Sequence, residues 1–226
     1  MNKPILFIIP GACSLGSQIT LEWLQQPYQI GITTPEIRQS DAFRAINPLG
    51  KVGALKDGDH VVGENLAILL YLADNYDLAE YCPLNSHGGR EHIYQWLSYL
   101  SSGLHAAFQH FNYPGRFIDE KYAEEYRQLA LSRLHEQLKF INNSINDAGY
   151  LLATTPTIID AQAFGLLRWC YKHSRGENLV DLSNYPKLQH FFTNMRNLAA
   201  VKNALAIENQ QSLLIDNSQF AGYFNF

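Results

Sequence analysis

The chain has 226 residues, 46% of them hydrophobic, and a formal net charge of -4, enough length and apolar content for one large domain or two small ones with packed cores. Its 17 Lys and Arg residues are scattered rather than clustered, which leaves no electrostatic footprint for nucleic acid or an anionic membrane surface, and neither partner is expected. No apolar run approaches the roughly 20 residues of a membrane span, and the run after Lys3 stops at Pro10, too short for a secretory h-region, so a cytoplasmic protein is expected.

The first third alternates strand and helix signals. Pro4–Ile9 reads as a strand, Leu15–Gln26 as a helix, Tyr28–Ile32 as a strand and Asp41–Ile46 as a short helix. Val52–Lys56 and His60–Val62 are short apolar stretches split by Asp57-Gly58-Asp59, and a D-G dipeptide between such runs signals a hairpin. Glu64–Tyr76 follows as a helix, with Leu66, Leu69, Leu70 and Ala73 on one face. The order is β-α-β-α-β-β-α.

Residues 77–89, with Pro83, Asn85, Ser86 and a Gly pair, read as a linker. Only helices are expected beyond it. Ile93, Trp96, Leu97, Leu100, Leu104 and Phe108 form one stripe, and Tyr122, Tyr126, Leu129, Leu134, Leu138, Ile141 and Ile145 form another. Pro114-Gly115 marks the connection between them. Thr157 and Asp160 look like a reciprocal cap opening a helix that is apolar nearly all round through Tyr171, the expected centre of a bundle. Leu188, Phe191, Phe192, Met195 and Leu198 mark a further helix. The tail, 209–226, is polar and then aromatic, and Phe220, Tyr223, Phe224 and Phe226 are expected to dock on the surface or on a partner.

Three cysteines, Cys13, Cys82 and Cys170, lie far apart without a C-x-x-C pair, which suits a reducing compartment. No His, Cys or acidic spacing of the usual metal-binding kind is present, so no metal site is expected. Cys13-Ser14 falls on the first turn of a helix, directly after a strand and Pro10-Gly11. Free N–H groups and the helix dipole there favour a thiolate, which predicts a thiol pKa lowered from about 8.5.

Pro10-Gly11-Ala12-Cys13-Ser14, Asn47-Pro48-Leu49-Gly50-Lys51-Val52, Glu64 opening a helix, Thr157-Ile158-Ile159-Asp160-Ala161 and Leu167-Arg168-Trp169 occur in the order in which they stand in one family. Over nearly its whole length the chain resembles the glutathione S-transferases, most of all the bacterial beta class. The resemblance implies a thioredoxin-like, glutathione-binding α/β domain over 1–78, an all-helical domain over 88–208 and the tail 209–226. It also implies a homodimer that takes glutathione as co-substrate together with a small hydrophobic electrophile. Cys13 would sit beside the glutathione sulfur, able to form a mixed disulfide, with Ser14 as a neighbouring donor. Lys51, the Val52 backbone, Glu64, Asn65 and His105 would meet glutathione, and Phe108 and Trp169 would line the hydrophobic pocket. A glutathione-dependent thiol reductase or peroxidase would use the same site, and a non-catalytic dimeric scaffold is the alternative of a different class.

The chain departs from the family pattern in four places. Gly53 stands where a cis-proline is usual, Ile8 replaces a tyrosine, Asn65 replaces a serine and Ala106 replaces a basic residue. A cis bond costs about 2.5–4 kcal/mol before a residue other than proline, so a trans Val52-Gly53 bond is expected. Proline restored at position 53 is then expected to strengthen glutathione binding.

Overall fold

The computed structural model describes residues 3–24, 26–82, 89–171, 179–211 and 217–226. It begins with β1 (Ile5–Ile8), α1 (Leu15–Trp23), β2 (Tyr28–Ile32), α2 (Pro35–Gln39) and α3 (Asp41–Ile46), followed by β3 (Ala54–Asp57), β4 (His60–Gly63) and α4 (Asn65–Asn75). The α2 turn was not legible as a separate helix. It exists because two hydroxyls each stop and start a turn: Thr34 accepts from the Ile37 N–H and Ser40 from the Phe43 N–H.

The helical C-terminal domain starts with α5 (Gly89–Tyr99), which passes through a π-helical turn, Leu100–His105, into α6 (Ala106–Asn112). The stripe expected to be one regular helix is therefore widened at its centre. Then come α7 (Ala123–Ser144), α8 (Ile158–Leu167), α9 (Pro186–Asn197), α10 (Ala199–Glu208) and a last strand, β5 (Phe220–Tyr223). The expected linker, 77–89, falls partly outside the described residues. Among the described residues no helix is long and apolar enough to cross a membrane.

The sheet has the order β4-β3-β1-β2-β5. β1 pairs in parallel with β2, Leu6 opposite Ile30, and antiparallel with β3, Leu6 opposite Leu55. The β3–β4 hairpin turns at Asp57-Gly58-Asp59-His60, as the D-G signal requires. Leu6 and Ile8 face a core shared with α1, α4 and the helical domain, whereas Phe7 on the opposite face packs with Phe43 and Ala54. This is a thioredoxin-like mixed sheet with an added strand.

The added strand is the tail. β5 lies parallel to β2, and the Phe224 N–H donates to Ile30 O at 2.8 Å. Phe224 and Phe226 then fold over Phe7, with ring centroids 5.7 and 5.3 Å away. Glu22 on α1 accepts from Tyr28, Ser218 and Asn203, tying the tail and α10 to the first helix. The aromatic residues of the tail thus dock on the chain's own sheet and cover an edge that would otherwise present unpaired backbone groups.

Helix α8 is buried along its whole length, and its entry is set by the cap read from sequence. Asp160 accepts from the Thr157 N–H and hydroxyl and from the Leu151 N–H, each at 2.8 Å. Burial pushes its carboxyl up to about 6 in spite of these donors. The interface between domains is a crossing of α1 and α8 through glycines. A Cβ on Gly16 would lie 2.7 Å from the Gln162 Cα, and one on Gly165 would lie 2.9 Å from the Gly16 N.

Asp160→Ala is expected to cost about 2–4 kcal/mol, because it strands buried donors, and denaturant unfolding will read it directly. Deleting residues 217–226 is expected to lower stability by about 3 kcal/mol through re-exposure of aromatic surface. Thermal unfolding and light scattering will show an earlier midpoint and association through the opened β2 edge.

Candidate active site

The loop between β1 and α1 is short and carries its own turn, with the Ala12 N–H donating to Ile9 O at 3.0 Å. What holds it in place comes from the far end of the chain. The Gly11 N–H donates to Glu208 Oε1 at 2.9 Å, Ala12 O accepts from Arg168 Nη2 at 2.7 Å, and Gly11 O accepts from Trp169 Nε1 at 2.8 Å. Arg168 and Glu208 form a two-pronged ion pair of 2.6 and 2.9 Å. The Glu208 side chain is only 4% exposed, so the pair works at low dielectric and is charge-assisted on both sides. Arg168 and Trp169 reach the loop because α8 tightens into a single 3-10 turn, Arg168–Cys170, as it ends.

Cys13 emerges from this loop half-buried. Its thiol pKa is raised, not lowered as the sequence predicts. Burial pushes it up and the Glu64 charge adds to that, while the Asn65 side-chain amide, its own backbone N–H and Arg168 pull it down. The magnitudes explain the outcome: a helix N-terminus favours an anion by about 0.3–2 kcal/mol, but taking a charge out of water costs several kcal/mol. At rest Cys13 is a thiol. Ser14 is fully buried, and its hydroxyl has no hydrogen-bond partner among the described residues. It lies beneath the cleft rather than in its open wall.

The opposite wall is the segment from Lys51 to Asn65. The Val52-Gly53 peptide bond is cis, contrary to the expected trans bond. Contacts on both sides of the bond set this turn. Lys51 O accepts from Asn47 Nδ2 at 2.8 Å, and Ala54 is already registered opposite Phe7 and Gly63. The Lys51 side chain is exposed. Glu64 takes a left-handed φ of 68° as the chain turns from β4 into α4, a conformation costing a non-glycine residue on the order of 1–3 kcal/mol and found where geometry matters more than stability. Its carboxylate is exposed, and its charge acts on both Cys13 and His105. Asn65 is buried, its side chain turned inward to the Ser17 hydroxyl.

His105 closes the π-helical turn. Burial holds its pKa below the ordinary imidazole value while Glu64 opposes the shift, so the ring is neutral at neutral pH. It stands 5.6 Å from the Trp169 ring, which in turn is bonded to Gly11 O in the loop that carries Cys13. Phe108 does not line the cleft: it is completely buried and meets Trp169 edge-on at 5.3 Å. It supports the indole from behind, because its position on α6 points into the core. Among the described residues no cluster of His, Cys, Asp or Glu could hold a metal ion.

The structure links Cys13 to Glu64 and Asn65, Glu64 to His105 and His105 to Trp169, whereas the Val52 side chain packs with the Phe7–Phe43 cluster on the other face of the sheet. Two residues of the arrangement had no role in the sequence reading: Arg168, visible only as part of a motif, and Glu208. A single acid ending the largely apolar α10 is the one signal that pointed to Glu208, and its partners are 40 and 197 residues away.

A thioredoxin-like sheet carrying a cysteine at the start of its first helix, followed by a helical C-terminal domain, is the fold of the glutathione S-transferase class. The glutathione S-transferase N-terminal domain model matches residues 17–80 and the C-terminal domain model residues 105–199. Glutathione S-transferase GstA of Escherichia coli O157:H7 is 30% identical over 208 residues, 90% of this chain and 98% of that protein. The bacterial beta class glutathione S-transferase of Sphingomonas chungbukensis superposes with a TM-score of 0.76 at 28% identity, covering 90% of this chain and 98% of that one. A sphingomonad glutathione S-transferase solved in complex with glutathione gives 0.77 at 27% identity, covering 91% and 98%. The chain belongs to the glutathione S-transferase family.

Glu208→Ala leaves the Arg168 charge and the Gly11 N–H without their partner and is expected to cost about 3–5 kcal/mol in denaturant unfolding. Replacing Arg168 with Met and Glu208 with Leu together is expected to recover much of that stability, since no buried charge is left over.

Proposed function

We propose that the protein is a glutathione S-transferase that binds glutathione in the Cys13 cleft and joins its sulfur to a small hydrophobic electrophile. The observation that carries this reading is the convergence of Cys13, the left-handed Glu64 at the start of α4 and the His105–Trp169 wall on one cleft. The Val52 backbone pairs with the cysteinyl part of the tripeptide. Glu64 takes the ammonium of the γ-glutamyl end, and the Asn65 N–H at the start of α4 takes its carboxylate. Lys51 supplies charge at the open edge.

Because burial keeps Cys13 protonated, its S–H serves as a donor to the glutathione thiolate, doing what a phenol does elsewhere; here Ile8 is fully buried in β1 and offers none. The thiolate attacks the electrophile held against His105 and Trp169, and the gain comes from orientation and from a donor already in place. With oxidised glutathione the same sulfur, once deprotonated, gives thiol–disulfide exchange: a Cys13–glutathione bond forms, the glutathione disulfide breaks and one glutathione thiolate leaves. The protein acts as a homodimer, in keeping with the family resemblance.

Calorimetric titration of the reduced protein with glutathione is expected to show millimolar or tighter binding. Cys13→Ala is expected to keep binding within a few-fold and to lose the mixed disulfide seen by mass spectrometry after exposure to oxidised glutathione. A mixed disulfide persisting at Cys82 or Cys170 would overturn the assignment of Cys13. No binding by the native protein would leave a scaffold as the better reading.

A further inference from the structure

His105 stands at the join of the π-helical turn and α6, and the two nitrogens of its ring have different surroundings. Gln109, one turn further along α6, brings its amide nitrogen Nε2 to 3.3 Å from His105 Nε2. Residues four apart on a helix are neighbours on one face, and both side chains are half-buried. An amide nitrogen carries only donors, so the ring nitrogen that it meets has to be the acceptor. His105 Nδ1 has no hydrogen-bond partner among the described residues. Burial holds the ring in its neutral form although Glu64 opposes this, and a neutral imidazole has one N–H and one lone pair. With the lone pair of Nε2 taken, the proton stands on Nδ1. The indole beside the ring does not duplicate that donor: Trp169, 5.6 Å away between centroids, gives its single N–H to Gly11 O.

We propose that Gln109 is a positioning residue for His105: its amide N–H occupies Nε2, so that the ring carries its proton on Nδ1 and offers it as a hydrogen-bond donor to an oxygen or sulfur of bound glutathione. His105 is then a binding donor and not a general base. Its one lone pair is already engaged, and to take a proton from a thiol it would first have to give up Gln109. The identity of the ligand rests on the glutathione site proposed above, whereas the tautomer belongs to the free protein.

Long-range proton–nitrogen correlation spectra of the ligand-free protein near neutral pH read the tautomer directly. The signals lost in His105→Asn assign the His105 ring among the eight histidines. The native ring is expected to show a pyrrole-type Nδ1 and a pyridine-type Nε2. Gln109→Leu removes the donor and is expected to shift the ring toward the Nε2–H form. Gln109→Glu sets an acceptor opposite Nε2 and is expected to place a proton there. A Gln109 that only fills space would leave the native pattern in both variants. A native ring protonated on Nε2, or a pattern that neither variant changes, would overturn the proposal, and should Gln109→Leu not fold, Gln109→Glu alone decides. In calorimetric titration, Gln109→Leu is expected to bind glutathione about two- to tenfold more weakly, the worth of one hydrogen bond. Unchanged affinity in a variant whose tautomer has moved would overturn the donor role. Failure of the native protein to bind glutathione would sink the proposed function, and the tautomer spectra would still decide the place of Gln109.

Discussion

Helix α1 is enclosed on nearly every side, and the close crossing of α1 with α8 is the constraint from which the rest of the molecule follows. Eight of its nine residues are buried, and at Gly16 and Gly165 the backbones approach to distances no side chain would permit. That approach makes the α/β and helical parts one packed body with a shared core. It also brings the end of α8 over the loop before α1, where Arg168 and Trp169 can grip the backbone of Gly11 and Ala12. Some of the polar groups carried into this interface are satisfied, Gln18 Nε2 by Ala204 O on α10 and the Thr20 hydroxyl within its own helix, whereas Gln18 Oε1 and Gln162 Oε1 are buried with no hydrogen-bond partner among the described residues. An unpaired group of this kind costs on the order of 1–3 kcal/mol.

The same enclosure governs the thiol. A helix start exposed to water would favour a Cys13 thiolate, but here the first turn is largely buried and the desolvation of charge outweighs the dipole. What remains is a contest among neighbours, with Glu64 disfavouring the anion and the Asn65 amide and Arg168 favouring it. In the binding mode proposed above, the ammonium of glutathione would face Glu64 and offset the carboxylate that disfavours the anion. Binding in that mode would couple to thiol chemistry through local electrostatics, without movement of the fold.

Much of the fold was legible because its signals are local. The continuous apolar run of β1, the D-G turn between β3 and β4 and the Thr157–Asp160 cap each depend on residues within a few positions of one another, and each appears where expected. The π-helical turn at Leu100–His105 was not legible, since its apolar spacing differs little from that of a regular helix. The tail gave aromatic residues without a period. Its strand exists only because the β2 edge stands open and Phe7 is bare on that face, conditions that are met only once the sheet has formed.

By itself the sequence determined the order of elements, the buried character of α8, the place of Cys13 at a helix start and the motifs of a glutathione S-transferase, all of them properties of neighbouring residues or of their order. Tertiary structure alone decided the state of the Cys13 thiol, the clamp of Arg168 and Glu208 on its loop and the retreat of Ser14 and Phe108 from the cleft. The reason is physical: hydration, charge and steric fit at a point depend on everything within a few ångströms of it, and in this chain those neighbours come from α1, α4, α8 and α10, as much as 197 residues apart.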